Sequence, residues 1–301
     1  MREALDTPGV NFTVGQKLGI ARLVAGAGVV EVEVVAPSRV SKDLEFVRAL
    51  RDENIALKTS GLVYANGTDR VREVEEAAKW LDHFDLLMPV SAERAPHDGA
   101  DKIRLVRETL AHATAVHGDV GAGFPHSTQC DAGFLVEIAT AAIGAGAKRI
   151  TVYDTNGSAN PFGVRDLIAR LRERAPGVSV FFHGHNDLGI ATANALAAVL
   201  AGADGLDVTV NGLGDRAGNA SLEQVAMGLH LAGFTTGIRL EALRTLSAAV
   251  EKESGVTISR LAPVVGEYAL CHKSPSHLHR PGLFEAFDPR LILGDRKLVE
   301  S

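Results

Sequence analysis

The chain has 301 residues, of which 46% are hydrophobic and 23% are charged, and its formal net charge at pH 7 is −6. A chain of this length buries enough surface to fold without a disulfide or metal staple, and its negative charge argues against a nucleic acid or an anionic membrane as the main partner. Cys130 and Cys271 show no C-x-x-C spacing, which excludes a disulfide framework and indicates a reducing compartment. Without a membrane-length apolar run or a signal-peptide core, the sequence predicts a cytoplasmic protein.

Short β-rich runs recur at regular intervals along the chain, at 29–35, 54–60, 84–90, 114–120, 149–155, 178–184 and 205–211. The segments between them show helical spacing, and several end in glycine, which supplies the left-handed cap of a helix. Strands that alternate with helices in this way predict a parallel sheet, either closed or open.

The position of the polar residues distinguishes a closed barrel from an open sheet. No G-x-G-x-x-G follows the first run, which argues against a dinucleotide-binding sheet. Nearly every run instead ends in chemically active side chains: Glu33, Lys58 with Thr59 and Ser60, Asp154 with Thr155, His183 with His185, and Asn211. Chemistry at the ends of many strands is typical of a barrel.

The number of runs predicts an incomplete barrel. Only seven are visible where a barrel needs eight, and the missing one would come first, with Arg2 and Glu3 at its end. We therefore predict an α/β fold, a (β/α)8 TIM barrel without its first strand, over residues 1–255. A short helical and loop subdomain that mediates dimerisation is expected over residues 256–301.

The segment HGHND at 183–187 carries the strongest local signal. Residues i and i+2 of a strand point to the same side, so His183 and His185 present two imidazoles together, with no bulk from Gly184 between them. Two imidazoles and a carboxylate suit a divalent ion such as Zn, Mn, Fe or Co. The alternative is a strand end whose histidines bond to loops, and the spacing alone does not decide between the two.

Further segments offer candidate site residues, but each is a weak signal when taken without the HGHND motif. The glycines of NGLGDRAGN at 211–219 leave amides free for an anion, and Asn219 offers an oxygen ligand, although the loop alone favours a tight turn. Glu31 and Glu33 share one face of a strand, and a buried carboxylate needs a partner, so at least one is expected to face the site. Arg2, as the second residue of the chain, is expected to be frayed.

Together, HGHND, NGLGDRAGN and YDTNG at 153–157 resemble the family of isopropylmalate, homocitrate and citramalate synthases, which are metallolyase-type TIM barrels related to 3-hydroxy-3-methylglutaryl-CoA (HMG-CoA) lyase. REALDTPGVNFTVGQKLGIA at the start and VVGEYALCHKSPSHLH near the end extend the resemblance over essentially the whole chain. It implies an acyltransferase of amino-acid biosynthesis that condenses acetyl-CoA with a 2-oxo acid, and a homodimer. The chain looks closest to citramalate-type synthases, which implies pyruvate or a small analogue.

The resemblance also implies a role for each site residue. Glu3, His183, His185 and Asn219 match the ligands of a divalent metal ion, which would be Mg, Mn or Zn, with Co and Fe as alternatives. These four positions would hold the ion at the ends of the strands.

The same comparison implies the catalytic and substrate-binding residues. Arg2 matches the arginine that polarises the carbonyl of the 2-oxo acid, and Thr155 matches the threonine that bonds the substrate carboxylate. Glu33 matches a carboxylate beside that arginine. His277 matches the histidine implicated in deprotonating acetyl-CoA, which the other subunit of the dimer usually supplies.

Several departures from the family pattern leave alternatives open. Ala4, Leu5 and Asp6 replace Gly-Glu-Gln, and Pro275 replaces the glycine before the distal histidine. One alternative is an HMG-CoA lyase-like cleavage of a 3-hydroxy-acyl-CoA, although 211–219 lacks the lyases' cysteine. The other is a divergent barrel without independent activity.

The side chain of the substrate is expected to contact Lys58, Leu62, Leu86, Leu87 and the 120–128 loop. This lining lacks the basic cluster that a second carboxylate would prefer, although Arg39 and Lys42 follow the first visible run.

Overall fold

A computed structural model describes residues 1–35, 40–90 and 99–299, with backbone only for 40–42. Seven parallel strands form one curled sheet in chain order. They are β1 Glu31–Val35, β2 Lys58–Tyr64, β3 His83–Leu87, β4 Val120–Phe124, β5 Arg149–Asp154, β6 Ser179–Gly184 and β7 Gly205–Asp207.

Within the described residues, eight helices accompany this sheet. They are α1 Val14–Gly26, α2 Val40–Asp52, α3 Arg70–Trp80, α4 Gly99–Val116, α5 Ala132–Gly144, α6 Pro161–Arg174, α7 Ala191–Leu200 and α8 Leu222–Leu231. Helix α1 precedes β1, and each later helix follows a strand. In the described part of the chain β1 pairs only with β2, and β7 only with β6. The prediction of a TIM barrel without its first strand is therefore confirmed.

Helix starts follow from local sequence. Thr13 and Gln16 form a reciprocal capping box ahead of α1. Asn160 accepts hydrogen bonds from two amides at the start of α6, where Pro161 occupies the first turn without needing an N–H partner.

Two predicted strand runs start too early, because the preceding helix or the turn that ends it occupies the first residues of the run. In the run 54–60, Asn54 adopts a left-handed conformation with φ 51° after α2, and the amide of Ile55 returns to the carbonyl of Leu50. Strand β2 therefore starts at Lys58. In the run 114–120, α4 continues to Val116, so only the last residue of that run belongs to β4.

These limits change the expected position of three polar residues. Lys58, Thr59 and Ser60 begin β2 instead of ending it, and the Lys58 side chain is exposed at the opposite end from Asp154 and His183. The run 205–211 was also too long: β7 ends at Asp207, and Asn211, with φ 59°, lies in a 3-10 turn. Its side chain donates a hydrogen bond to the carbonyl of Ser247 and accepts one from the Ser247 hydroxyl.

Small residues in β4 make room for side chains of the neighbouring strands. A Cβ on Gly121 would lie 1.8 Å from Asp85 Oδ1, and one on Gly123 would lie 2.7 Å from a methyl of Leu87. Both glycines are therefore needed for β4 to pack against its neighbours inside the barrel.

Charged groups fill the barrel interior near the N-terminal ends of the strands. Arg149 donates two hydrogen bonds of 2.8 Å to the carboxylate of Glu31, and its guanidinium lies 3.9 Å from the centre of the Phe181 ring. This bidentate pair satisfies a carboxylate that would be costly to bury alone. Glu31 therefore faces a structural partner.

A second polar group in the interior centres on His83, which is 1% exposed. Its Nε2 lies 2.9 Å from Asp85 Oδ1 and its Nδ1 lies 2.9 Å from Asp119 Oδ1. The hydroxyl of Thr151 also donates to Asp85, at 2.6 Å. Burial alone would lower the pKa of His83, but its bonds to Asp119 and Asp85 outweigh burial and raise the pKa to about 9.

The rest of the chain packs on the outside of the barrel. Helix α9 spans Leu243–Ser254, helix α10 spans Pro275–His279, and strands β8 Cys271–His272 and β9 Lys297–Leu298 pair in parallel. Val264, Leu270 and Ile292 join the apolar core formed with α1, α8 and α9. The domain boundary after residue 255 stays a prediction.

Within the described ranges, none of the helices combines the length and apolarity that a membrane span requires.

We expect the pairing of His83 to make stability depend on pH. Because the folded pKa is raised from 6.5 to about 9, the stabilisation is complete below the unfolded pKa and is lost as pH rises through the folded one. The loss is on the order of 3 kcal/mol. Asp119→Asn removes one of the raising partners, so it should reduce this loss, as measured by urea unfolding at a series of pH values.

The matched control is Asp101→Asn, because Asp101 pairs with Arg104 on the exposed face of α4. This control should keep the wild-type pH dependence. An Asp119→Asn profile that coincides with the wild-type profile would contradict the assignment.

Candidate active site

The first residues of the chain are fixed to β1 by Arg2. Its backbone N–H donates to the Glu33 carbonyl at 3.0 Å, and its Nε donates to Glu33 Oε1 at 2.6 Å. Its Nη1 also contacts the carboxylate of Glu3 and lies 3.4 Å from Asp6. With 13% of its side chain exposed, Arg2 is held in place, so the expectation of a frayed terminus is wrong. Ion pairs and one backbone bond replace the support of a strand.

The pKa values of two acidic neighbours of Arg2, Glu3 and Glu33, shift in opposite directions. Burial raises the pKa of Glu3, but Arg2, His183 and His185 outweigh burial and hold it below its usual range. For Glu33, burial raises the pKa by more than Arg2 lowers it, and the nearby Asp207 adds to the increase. Glu3 is therefore held ionised, while Glu33 holds a proton more readily.

His183 near the end of β6 and His185 just beyond it lie where the strand geometry predicted. His183 and His185 point to the same side, with their Nε2 atoms 3.3 Å apart, and Glu3 Oε1 lies 3.7 Å from His185 Nε2. Candidate ligand atoms of these three residues all lie within 4.8 Å of one another. Burial and then His183 lower the pKa of His185 to about 4, which leaves its imidazole neutral. Neutral imidazoles and a carboxylate are the donors that divalent transition metals prefer.

Asp207 at the end of β7 orients His183. Its Oδ2 lies 3.1 Å from His183 Nδ1, so Nδ1 carries a proton, and in the neutral ring the lone pair of Nε2 faces His185. The sequence reasoning missed Asp207, although the carboxylate stands on the strand next to the histidine, at the register position opposite it.

Asn219 completes this cluster. It is 2% exposed, and its Nδ2 lies 3.2 Å from His183 Nε2. Among the described residues, its buried Oδ1 has no hydrogen-bond partner. A Cβ on residue 214 would lie 1.9 Å from Asn219 Oδ1, so Gly214 is needed to admit this side chain. An unpartnered buried oxygen beside two imidazoles and a carboxylate fits a divalent cation.

A single arginine ties together the loops that surround the cluster. Arg216, which has φ 54°, donates to both carboxylate oxygens of Asp187 at 2.7 and 2.9 Å and to the Thr155 carbonyl at 2.9 Å. It thereby joins the loops that follow β5, β6 and β7. Neither Arg216 nor Asp187 was identified from the sequence, because their pairing depends on the fold.

Thr155 and Asp154 differ in what they offer. The amide of His126 donates to Thr155 Oγ1 at 2.8 Å, which leaves the hydroxyl proton free to donate. Asp154 is fully buried and accepts from the Thr128 hydroxyl at 2.8 Å and from the Ala159 amide. Bonds within the neighbouring loops therefore occupy the Asp154 carboxylate.

The expected substrate lining is only partly present. Leu62, Leu87 and Tyr153 form a small buried cluster, and the Tyr153 ring lies 4.8 Å from the His183 ring. Leu86 points the other way, into the core between sheet and helices, because neighbouring residues of a strand alternate. Lys58 lies at the other end of β2. Arg39 and the side chain of Lys42 fall outside the described residues.

His277 lies apart from the other predicted residues. It belongs to α10, stacks on the Phe284 ring with centroids 3.9 Å apart, and has its Nδ1 3.3 Å from His272 Nδ1. Among the described residues, no contact joins His277 to the cluster of Glu3, His183 and His185. The structure thus brings together Arg2, Glu3, Glu33, His183, His185 and Asn219, flanked by the Thr155 loop.

A cavity of about 620 Å³ extends from this cluster along the open side of the sheet, between β1 and β7. The fold and the site thus define a TIM-barrel protein with its polar cluster at the C-terminal ends of the strands, where barrel enzymes carry their active sites. The HMGL-like family model matches residues 1–250, and the chain belongs to that family.

Known proteins agree with this membership. The 2-isopropylmalate synthase of Sulfolobus acidocaldarius is 31% identical over 307 residues, covering 99% of this chain and 79% of that protein. The homocitrate synthase of Sulfurisphaera tokodaii is 32% identical over 312 residues, covering 99% of this chain and 67% of that protein. The resemblance inferred from the motifs and the prediction of an acyltransferase are confirmed.

Solved structures share the fold at lower identity. HMG-CoA lyase from Brucella melitensis superposes with a TM-score of 0.69 at 19% identity, over 84% of this chain and 95% of that one. The carboxyl transferase domain of Rhizobium etli pyruvate carboxylase gives a TM-score of 0.71 at 22% identity, over 90% of this chain and 50% of that one. Since proteins of different name share this fold, the site must distinguish their functions.

We expect the double variant His183→Ala/His185→Ala to lose uptake of a divalent ion, because it removes both nitrogen donors of the cluster. Elemental analysis after loading with Mn²⁺ or Zn²⁺ and dialysis measures the ion that stays bound. The wild type should also gain melting temperature with added ion, since a ligand that binds only the folded state stabilises it.

The control is His230→Ala, an exposed histidine on α8. It should bind the ion like the wild type. Equal ion content in the double variant and the wild type would exclude this site.

Proposed function

We propose that the protein catalyses the Claisen condensation of acetyl-CoA with a small aliphatic 2-oxo acid, assisted by a divalent ion on Glu3, His183, His185 and Asn219. The observation that carries this proposal is the contact of Arg2 with Glu3. It sets a permanent cation beside the proposed ion site, so that both can withdraw charge from one carbonyl oxygen. When bound, the ion would polarise the ketone and stabilise the alkoxide that forms from it.

The neighbouring residues supply substrate binding. Arg2 is held by Glu33 and Glu3 with its fork of donors fixed, which suits donation to a ketone oxygen at little entropic cost. Thr155 keeps its hydroxyl proton free, because the His126 amide occupies its oxygen as an acceptor, so it can donate to the substrate carboxylate. Glu33 can hold a proton near the oxygen that becomes the product hydroxyl.

His277 is proposed as the base for acetyl-CoA. It would take a proton from the thioester methyl, and the resulting enolate carbon would attack the ketone carbon of the 2-oxo acid. The ketone π electrons move to oxygen, and the alkoxide takes up a proton. Water then hydrolyses the thioester, releasing free CoA and a second carboxylate, which makes the step irreversible.

The small apolar cluster beside His183 supports a short aliphatic substrate. Leu62, Leu87 and Tyr153 provide an apolar surface inside the barrel. None of the three carries a charge that would compensate a second carboxylate, and burying one unpaired would be costly. Pyruvate or a small analogue therefore fits this surface better than 2-oxoglutarate.

The C-terminal segment supports a homodimer. Seven large apolar side chains stay exposed there: Leu261, Tyr268, Leu283, Phe284, Leu293, Leu298 and Val299. Leu261 and Leu283 are 76% and 73% exposed, and Phe284 stacks on His277. A dimer that covers this surface would bury the apolar area and carry His277 toward the barrel of the other subunit.

We expect free CoA to be released only when acetyl-CoA, a divalent ion and a 2-oxo acid are all present, with pyruvate the best of pyruvate, 2-oxoisovalerate and 2-oxoglutarate. Arg2→Lys should lower turnover by about 10²–10³ fold, because an amine lacks the guanidinium fork that stabilises the developing oxyanion. Metal content should not change. A thiol-reactive dye follows the release of CoA.

Arg22→Lys is the matched control, because Arg22 forms an exposed ion pair with Glu53. Wild-type turnover in Arg2→Lys would remove Arg2 from the mechanism. Cleavage of a 3-hydroxy-acyl-CoA without condensation would favour the lyase reaction, and no reaction of either kind would favour a barrel without independent activity.

We expect Leu261→Glu/Leu283→Glu to give a monomer that binds metal but has lost turnover, because the substitutions place charges on the proposed dimer surface. Leu200→Glu is the control, since Leu200 is 67% exposed at the end of α7, away from the C-terminal segment. Light scattering measures the oligomeric state. A monomer with full turnover, variant or wild type, would refute the dimer.

A further inference from the structure

We propose that Glu285 and His272 are positioning residues that hold His277 as a base, with the proton on its Nδ1 and the lone pair on its Nε2. The use of that lone pair in condensation rests on the proposed function. The tautomer itself is a property of the C-terminal segment and can be measured without any substrate.

The geometry assigns the protons one after another. His272 is 6% exposed, and its Nε2 lies 3.1 Å from Glu285 Oε1. An ionised carboxylate only accepts hydrogen bonds, so His272 Nε2 carries a proton. In neutral His272 the other nitrogen, Nδ1, then has the lone pair. His277 Nδ1 lies 3.3 Å from it and must supply the proton of that contact. The Nε2 of His277 is therefore left with its lone pair.

The charge balance around Glu285 favours this assignment over a cationic His272. Arg296 donates to both oxygens of Glu285 through Nε and Nη2. The β8–β9 pairing, with His272 opposite Leu298, brings Arg296 to this position. Because the guanidinium already neutralises the carboxylate, a second cation on His272 would gain little from Glu285 and would face Arg296. A neutral His272 accepts from His277 instead.

The surroundings of His277 fix its ring but leave one nitrogen open. Its ring stacks on Phe284 with an interplanar angle of 12°. In the part of the chain that the structure describes, no residue bonds its Nε2. Among the described residues, the polar contact of the ring is the one to His272.

We call this chain of hydrogen bonds, from Glu285 through His272 to His277, the relay. When His277 takes a proton at Nε2, its Nδ1–H stays bonded to His272 Nδ1, so the charge stays on His277 and His272 stays neutral. A carboxylate that orients a histidine is the arrangement of catalytic triads, here with one histidine added between the two.

The test reads the tautomer directly. Long-range ¹H–¹⁵N correlation spectra of ¹⁵N-histidine-labelled full-length protein report which ring nitrogen carries the proton. In the wild type we expect His277 protonated at Nδ1. His272→Phe removes the acceptor and keeps a ring, whereas Glu285→Ala releases His272. Both should shift His277 toward the Nε2–H tautomer that free imidazole side chains prefer in water.

Two matched controls come from the same segment. His279→Phe removes a histidine of α10 that has no contact with His277, and Glu267→Ala removes a carboxylate paired with Arg260. Both should keep the wild-type tautomer. In condensation assays, His272→Phe and Glu285→Ala should lower kcat by about tenfold or more without changing KM for the 2-oxo acid or the metal content.

Different results would overturn the tautomer, the positioning role and the assignment of His277 as the base. A wild-type His277 protonated at Nε2, or a tautomer that neither variant changes, overturns the relay whatever the activity. An altered tautomer with unchanged kcat overturns the positioning role. Undiminished turnover in His277→Ala overturns the base assigned under the proposed function and leaves the tautomer measurement standing.

Discussion

The whole site depends on the ion pairs of Arg2 with Glu33 and Glu3 in the open interior of the barrel. Two neighbouring buried carboxylates repel each other and lose hydration, so Glu3 stays ionised only with a cation close by. Arg2 supplies that cation while its backbone bonds β1, which joins the chain terminus, the edge of the sheet and the histidine cluster in one network. Arg149 does the same for Glu31 at the opposite end of the strands. The interior is thus stabilised by matched charges where a complete barrel stacks apolar layers.

The parts of this site that the sequence could predict are those in which distance along the chain determines distance in space. His183 and His185 share a face because any strand places residues i and i+2 on one side. The alternation of strands and helices likewise predicts the parallel sheet. The ligand role of Glu3 came from the resemblance alone, because its closeness to His185, 3.7 Å, depends on how the terminus folds back onto β1.

Three features were not predicted: one depends on strand register, one on contact between loops, and one on the backbone conformation of an asparagine. Asp207 meets His183 because β7 pairs with β6 at that register, which no local pattern encodes. Arg216 and Asp187 meet across two loops. The misplaced run containing Lys58 has a local cause that was overlooked: Asn54 adopts a positive φ and ends a helix, a role that asparagine shares with glycine.

The histidines at the proposed metal site and in the C-terminal segment are oriented in the same way but suit different roles. In each, a carboxylate holds one ring nitrogen through a hydrogen bond and thereby determines where the lone pair lies: Asp207 acts on His183 directly, and Glu285 acts on His277 through His272. The lone pair of His183 faces other donors within 4.8 Å, an arrangement that a metal ion satisfies. The nitrogen assigned the lone pair in His277 has no partner among the described residues, an arrangement that suits proton transfer. The two histidines are the same residue type, and each is oriented by a carboxylate. The group that faces the unprotonated nitrogen therefore decides whether the histidine is suited to be a metal ligand or a base.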